Sequence, residues 1–240
     1  MSQPRLPKCV NKMSKPSNFC PGCGHSLTLK NLGFVIDDLR ISSSTIFATD
    51  IGCSLLAWDY FDIDTVQSHH GRAASIAVGL KRALPKTTVI SYMGDGGGYS
   101  IGLNHLVGAA RRNEAITVIL VNNTLYAMTG GQMAPTTYKG ESTSSTPEGS
   151  FAKEDPFLGP EFLAPICHKE AFLARTSVDN PIQIKKYIKK AIQNQKNGNF
   201  SLVEVLSYCP TNWKTDAKRT INFFDYLKGL YKTGVIKGEQ

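Results

Sequence analysis

The sequence predicts an α/β domain with a mostly parallel central sheet flanked by helices. Short, continuous apolar runs alternate along the chain with stretches whose apolar residues recur at helical spacing. Glycine-rich turns sit where such a run gives way to a helix, as at residues 93–98. With 240 residues, 41% hydrophobic and 19% charged, the chain can bury one sizeable core and lacks the bias of a disordered segment.

Leu29, Leu32, Ile36 and Leu39 give a helix over residues 25–40, and the β-branched run 45–49 reads as a strand. Ala73, Ile76, Ala77, Leu80 and Leu84 form the next helical stripe, ended by Pro85, and residues 87–93 are a second buried strand. Residues 101–112 are predicted helical and 115–121 a continuous apolar strand. Asp179 or Asn180 is placed to cap a helix with Pro181 in its first turn, Ile184, Ile188 and Ile192 on one face, and Gly198 closing it. Residues 200–206 are the last predicted strand. Between 130 and 165, Pro135, Pro147, Pro156, Pro160 and Pro165 interrupt any periodicity, and a loop this long is a candidate lid or subunit-docking segment. Residues 1–18 are expected as an N-terminal arm and 214–240 as a C-terminal tail of a single domain spanning 1–240, without internal repeats.

No apolar run approaches the roughly 20 residues that span a bilayer, and residues 1–16 lack the apolar stretch of a signal peptide. A cytoplasmic protein with no membrane partner is expected. Six unevenly spaced cysteines do not form a disulfide framework, whereas Cys-x-x-Cys in a reducing compartment points to metal or redox chemistry. The net charge of +8 is concentrated in the last third, with Lys185, Lys186, Lys189 and Lys190 on one predicted helix. That is a solvated face, equally suited to steering an acidic electron carrier. Nucleic acid is not expected, because the basic residues lack aromatic interleaving or a recognised module.

In an open parallel sheet, ligands bind beyond the carboxyl ends of the strands. The turn Gly94-Asp95-Gly96-Gly97-Gly98 lets backbone amides approach an anion, the following helix favours a phosphate, and Asp95 offers a hard oxygen to magnesium. Alone, such a turn is as readily a plain strand-to-helix connection. Asn122-Asn123-Thr124-Leu125-Tyr126 follows the next strand and brings a second oxygen ligand to the same rim. Cys20-Pro21-Gly22-Cys23 sets two thiols on a tight turn, a spacing that fits zinc or an iron-sulfur cluster equally. Cys53, in Asp50-Ile51-Gly52-Cys53-Ser54, and Cys209, in Tyr208-Cys209-Pro210-Thr211-Asn212-Trp213, both follow predicted strands.

Gly94-Asp95-Gly96, with Asn123 placed 28 positions after Asp95, resembles the thiamine diphosphate motif. Cys20, Cys23, Cys53 and Cys209 resemble the cysteine pattern of the β subunits of 2-oxoacid:ferredoxin oxidoreductases acting on pyruvate, 2-oxoglutarate or branched-chain 2-oxoacids. The run His70-Gly71-Arg72-Ala73 is similar to a turn of that family, and with residues 126–132 the likeness covers most of 19–139. It implies the three-layer thiamine diphosphate-binding fold, with magnesium on Asp95, Asn123 and the Leu125 carbonyl. It implies thiamine diphosphate among Ile51, Gly52, Cys53, Ser54, His70, Gly71, Gly94, Asp95, Gly96, Gly97, Asn123, Leu125, Ala127, Met128 and Thr129, and a 4Fe-4S cluster on the four cysteines. Many relatives carry a second acid where this chain has Gly97. Tyr126 and Met128 are as readily core packing, a salt bridge is the expectation for Arg72, and His25, His69, His105, Cys9 and Cys167 receive no role.

The implied activity is oxidative decarboxylation of a 2-oxoacid to acyl-CoA and carbon dioxide, with electrons passing through the cluster to ferredoxin. No catalytic residue is assigned, because in that family the glutamate that activates the aminopyrimidine belongs to the partner subunit. The α subunit, with γ and δ in some members, ferredoxin, the 2-oxoacid and coenzyme A are the expected partners. Two other readings compete: a cluster-free thiamine diphosphate-dependent 2-oxoacid decarboxylase subunit, which leaves four cysteines without a role, and a non-catalytic electron-transfer or scaffold subunit.

Overall fold

The computed structural model describes residues 6–12, 18–150 and 155–238. Helix α1 (Gly24–Leu39) leads into β1 (Thr45–Thr49), β2 (Asp64–Gln67), α2 (Ala73–Ala83), β3 (Thr88–Gly94), α3 (Leu103–Arg111) and β4 (Thr117–Asn122). A small hairpin, β5 (Leu125–Tyr126) with β6 (Gln132–Met133), precedes α4 (Gly159–Leu163), β7 (Phe172–Ser177), α5 (Pro181–Lys196) and β8 (Ser201–Leu206). The chain continues through α6 (Pro210–Trp213), α7 (Ala217–Leu230) and β9 (Gly234–Lys237).

Seven strands form one sheet in the order β2-β1-β3-β4-β8-β7-β9, parallel throughout except where β9 runs antiparallel to β7. Strand alternation divides the core into two apolar layers. Ile90 and Tyr92 of β3 point to the layer filled by Leu29, Leu32 and Ile36 of α1 and by Ile184, Ile188 and Ile192 of α5. Val89 and Met93 point to the layer filled by Ala74 and Ala77 of α2 and by Leu106 and Ala110 of α3. The expected three-layer, mostly parallel fold is the one observed. From β1 the chain moves outward to β2 and returns to β3 on the other side of β1, so strand order reverses between β1 and β3, where an open sheet forms a crevice.

The sequence does not reveal β2, β7, β9 or α7. Strand β2 is short and half-exposed, and in β7 the apolar run is interrupted by Arg175. Arg175 is nonetheless fully buried, because Glu204 of β8 meets its Nε at 2.5 Å and Glu161 meets its Nη1 at 2.5 Å. The stretch expected as a tail holds α7 and β9 in its described part, and the 130–165 segment holds β6 and α4. Asn180 caps α5 by accepting from the Gln183 amide. No helix among the described residues is long and apolar enough to cross a membrane.

Candidate functional site

A cavity of about 230 Å³ opens at the carboxyl edge of the sheet, against the ends of β1, β3 and β4. Ile51, Gly52 and Cys53 line it after β1, and Gly94, Asp95, Gly96 and Gly97 after β3. Asn123, Leu125, Ala127, Met128 and Thr129 line it after β4, and His70 from the turn before α2. Ser54 and Gly71 are buried and do not face it: the Ser54 hydroxyl donates to the Asp50 carbonyl, and the Gly71 amide to Asp50 Oδ1 at 2.7 Å.

Asp95 is buried, and its carboxylate accepts from the Thr136 hydroxyl. Burial pushes this carboxyl up to about 7 against the pull of that hydroxyl and of nearby backbone amides. Among the described residues it forms no ion pair, the condition in which a bound cation would stabilise it. Asn122 braces the next loop: its Nδ2 donates to Glu204 at 2.8 Å and its Oδ1 accepts from the Thr124 amide, holding Thr124 at φ 66°. Asn123 thereby presents its side chain to the cavity while its carbonyl accepts from Trp213 Nε1 at 3.1 Å. The Tyr126 ring lies against Gly96, where a Cβ would collide with it. At Gly97 a Cβ would collide with Asp50 Oδ2, so the second acid of many relatives has no room here.

His70 is exposed at the cavity mouth, and the Thr129 hydroxyl donates to Gln132 Oε1 at 2.5 Å, with the Tyr126 carbonyl 3.3 Å away. Arg72 forms no salt bridge among the described residues; its guanidinium donates to the His70 carbonyl at 2.6 Å, which the turn places within reach. Sequence reasoning left out His25, Ile101 and Tyr126, all of which line the cavity. His25 stacks on Phe19 at 5.1 Å, its Nδ1 lies 2.7 Å from the Tyr92 hydroxyl, and burial pulls its pKa down to about 3. Its position directly after the cysteine turn was the available signal. Glu141, also buried, is pushed up to about 8 by desolvation, and its Oε1 lies 2.6 Å from the Thr124 hydroxyl oxygen.

The cysteine turn is closed by the Cys23 amide donating to the Cys20 carbonyl at 3.1 Å, with Pro21 second and Gly22 third at φ 76°, as a type II turn requires. The Gly24 amide then donates to the Tyr208 carbonyl, pinning the turn to the chain leaving β8. Cys20, Cys23, Cys53 and Cys209 line one cavity of about 250 Å³, which shares Cys53, Asn123, Ala127 and Met128 with the first. Among the described residues no three His, Cys, Asp or Glu side chains converge closely enough to hold a single metal ion. Burial, aided by the neighbouring thiols, pushes Cys23 and Cys53 up to about 12 and raises Cys209. All six cysteines are free, with Cys9 and Cys167 buried outside this cavity.

A glycine turn beside a buried aspartate, with an asparagine loop on the adjacent strand end, is an arrangement suited to a diphosphate and its cation. Residues 50–205 match the family described as thiamine pyrophosphate enzyme, C-terminal TPP binding domain. The chain is 40% identical over 217 residues to ketoisovalerate oxidoreductase subunit VorA of Methanothermobacter thermautotrophicus, covering 86% of this chain and 44% of that protein. It is 38% identical over 197 residues to 2-oxoglutarate synthase subunit KorB of Archaeoglobus fulgidus, covering 82% and 71%. A structure of 2-oxoglutarate:ferredoxin oxidoreductase from Magnetococcus marinus, with 2-oxoglutarate, coenzyme A and succinyl-CoA bound, superposes with a TM-score of 0.83 at 26% identity, covering 99% of this chain and 86% of that one. This chain belongs to the thiamine pyrophosphate enzyme family and, within it, to the 2-oxoacid oxidoreductase subunits of the KorB type. It spans less than half the length of the ketoisovalerate relative.

Proposed function

We propose that this chain is the cofactor-binding subunit of a 2-oxoacid:ferredoxin oxidoreductase, which converts a 2-oxoacid and coenzyme A to acyl-CoA and carbon dioxide and passes the electrons to ferredoxin. The observation that carries this reading is the adjacency of two cavities sharing four lining residues, one suited to a diphosphate with its cation and one ringed by four thiols. Thiamine diphosphate, when bound, supplies the carbon nucleophile that adds to the oxoacid carbonyl and the ring that takes up the electrons left by decarboxylation.

Each residue then has a defined task. The amides of Gly96 and Gly97 cradle the diphosphate, and His70 donates to a phosphate oxygen at the mouth. Asp95, Asn123 and the Leu125 carbonyl supply hard oxygens to Mg²⁺, which fits the buried carboxyl of Asp95 and its lack of a counter-ion among the described residues. Cys20, Cys23, Cys53 and Cys209 hold a 4Fe-4S cluster, whose iron would bring these thiols to the thiolate form. Shared walls keep the cluster close to the cofactor, as single-electron transfer requires. The activating glutamate comes from a partner subunit, so the active site is completed at an interface. The cytoplasm is the fitting compartment, since the ligating thiols must stay reduced.

The test is anaerobic co-purification with the products of neighbouring genes, followed by a panel of 2-oxoacids with coenzyme A and a viologen acceptor. The expected result is oxoacid-dependent viologen reduction by a brown complex whose visible absorption is bleached by dithionite. A colourless complex that binds thiamine diphosphate would instead indicate the cluster-free decarboxylase, and a complex without thiamine diphosphate a scaffold subunit.

A further inference from the structure

Asp50 lies directly beyond β1, and none of the tasks above uses it. It is wholly buried. Its Oδ1 accepts from the Gly71 amide at 2.7 Å and so ties the His70 turn to the end of β1. Among the described residues its Oδ2 has no hydrogen-bond partner, the nearby Ser68 hydroxyl being turned to the Thr49 carbonyl at 3.0 Å, and no lysine or arginine pairs with the carboxylate. Burial pushes the carboxyl up to about 6. A buried polar atom left without a partner is rare in folded proteins and commonly marks the place of a water, an ion or a ligand.

The surroundings indicate where the missing donor enters. A Cβ on Gly97 would collide with Oδ2, so this oxygen stands over the diphosphate turn in the volume that any side chain at position 97 would take. Ile51, Gly52, His70 and Gly97 all line the cofactor cavity, and Asp50 lies directly behind that wall. Asp95, Asn123 and the Leu125 carbonyl offer only three oxygens, whereas Mg²⁺ takes an octahedral shell and keeps water in addition to phosphate oxygens.

We propose that Asp50 Oδ2 accepts a hydrogen bond from a water carried by the divalent cation of this cavity, making Asp50 a positioning residue for the ion and accounting for glycine at position 97. The inference rests on the reading of the cavity as a diphosphate and metal site. A carboxylate contributed from β1 orients the hydrated ion against the turn after β3, and through Gly71 the same side chain sets the position of His70.

The test uses the purified oxidoreductase complex with thiamine diphosphate and Mn²⁺ in place of Mg²⁺, the free ion being counted by electron paramagnetic resonance. Asp50→Asn keeps the size of the side chain and an oxygen for the Gly71 amide but removes the charge. Mn²⁺ affinity is expected to fall about 10- to 100-fold, as for other groups that orient metal ligands, with the thermal unfolding midpoint unchanged. Gly97→Asp alone should abolish Mn²⁺ binding through the collision, whereas Asp50→Ala combined with Gly97→Asp returns a carboxylate to the same volume from the adjacent strand end and should recover most of the affinity lost in Asp50→Ala. Mn²⁺ binding by Asp50→Asn within about twofold of the unaltered complex, well short of that range, overturns the inference. So does a double variant no better than Asp50→Ala, an outcome that stands even where Asp50→Asn fails to fold. If the unaltered complex takes up no Mn²⁺ with thiamine diphosphate present, the underlying reading of the cavity fails, and the inference with it.

Discussion

The two cavities at the carboxyl edge are built on opposite principles. The walls of the first are fixed by the protein's own polar contacts: Asp95 by Thr136, Asn122 by Glu204, and Asn123 by Trp213. The walls of the second are fixed by backbone turns, and the sulfurs there meet mainly backbone amides, Cys23 that of His25 and Cys209 that of Asn212, whose side chain adds a long 3.8 Å contact. A pocket braced before its ligand arrives loses little entropy on binding. A ring of thiols, by contrast, acquires its order from whatever it holds, because metal binding and local folding are coupled. The first region is therefore expected to tolerate loss of its ligand, and the second is not.

The largest effect that would break this contrast comes from Cys53→Ser. Visible absorption and oxoacid-dependent viologen reduction should both be lost, while thiamine diphosphate binding, measured by calorimetry on the complex, persists. Loss of cofactor binding as well would mean that the first pocket depends on the cluster for its shape, and the distinction drawn above would fall.

Next comes the brace behind the first pocket. Arg175 reaches Glu204 and Glu161, stacks on Tyr231 at 5.3 Å, and through Glu204 holds Asn122. Arg175→Met leaves Glu204 buried without its partner, and chemical denaturation should show a loss of about 3–5 kcal/mol. Adding Glu204→Gln removes the stranded charge and should recover part of that loss, because an unpaired buried charge costs more than an absent pair. No recovery in the double variant would show that Arg175 acts through its packing on Tyr231.

The same residues mark the boundary of what the amino-acid order discloses. Strands β1, β3, β4 and β8 are legible because each is a short apolar run buried on both faces. Asp95, Asn123 and the four cysteines stand out because they follow such runs or form a compact turn. Strand β7 stays hidden because Arg175 is tolerated in the core only through acids 14 and 29 positions away, a pairing that exists once the fold has formed. Asp50 stays hidden for a related reason: its neighbour Gly97 is remote in the chain and close only across two adjacent strand ends. Periodicity reports burial, whereas these contacts depend on topology.

The smallest effect separates the two regions most finely, because helix α6 joins them: Cys209 precedes it in one cavity, and Trp213 at its end reaches the Asn123 carbonyl of the other. Trp213→Phe keeps the ring edge-on to Phe223 and removes only the indole N–H. The Asn123 carbonyl retains the Thr124 hydroxyl as a donor, so the stability loss should stay at about 1 kcal/mol. Thiamine diphosphate should bind up to about tenfold more weakly, since 1.4 kcal/mol corresponds to a factor of ten in affinity. The iron content of the complex should not change, because Cys209 is held by the backbone leaving β8 and not by the indole. A parallel fall in iron and cofactor would show that α6 transmits strain from one cavity to the other, making the two sites one cooperative unit.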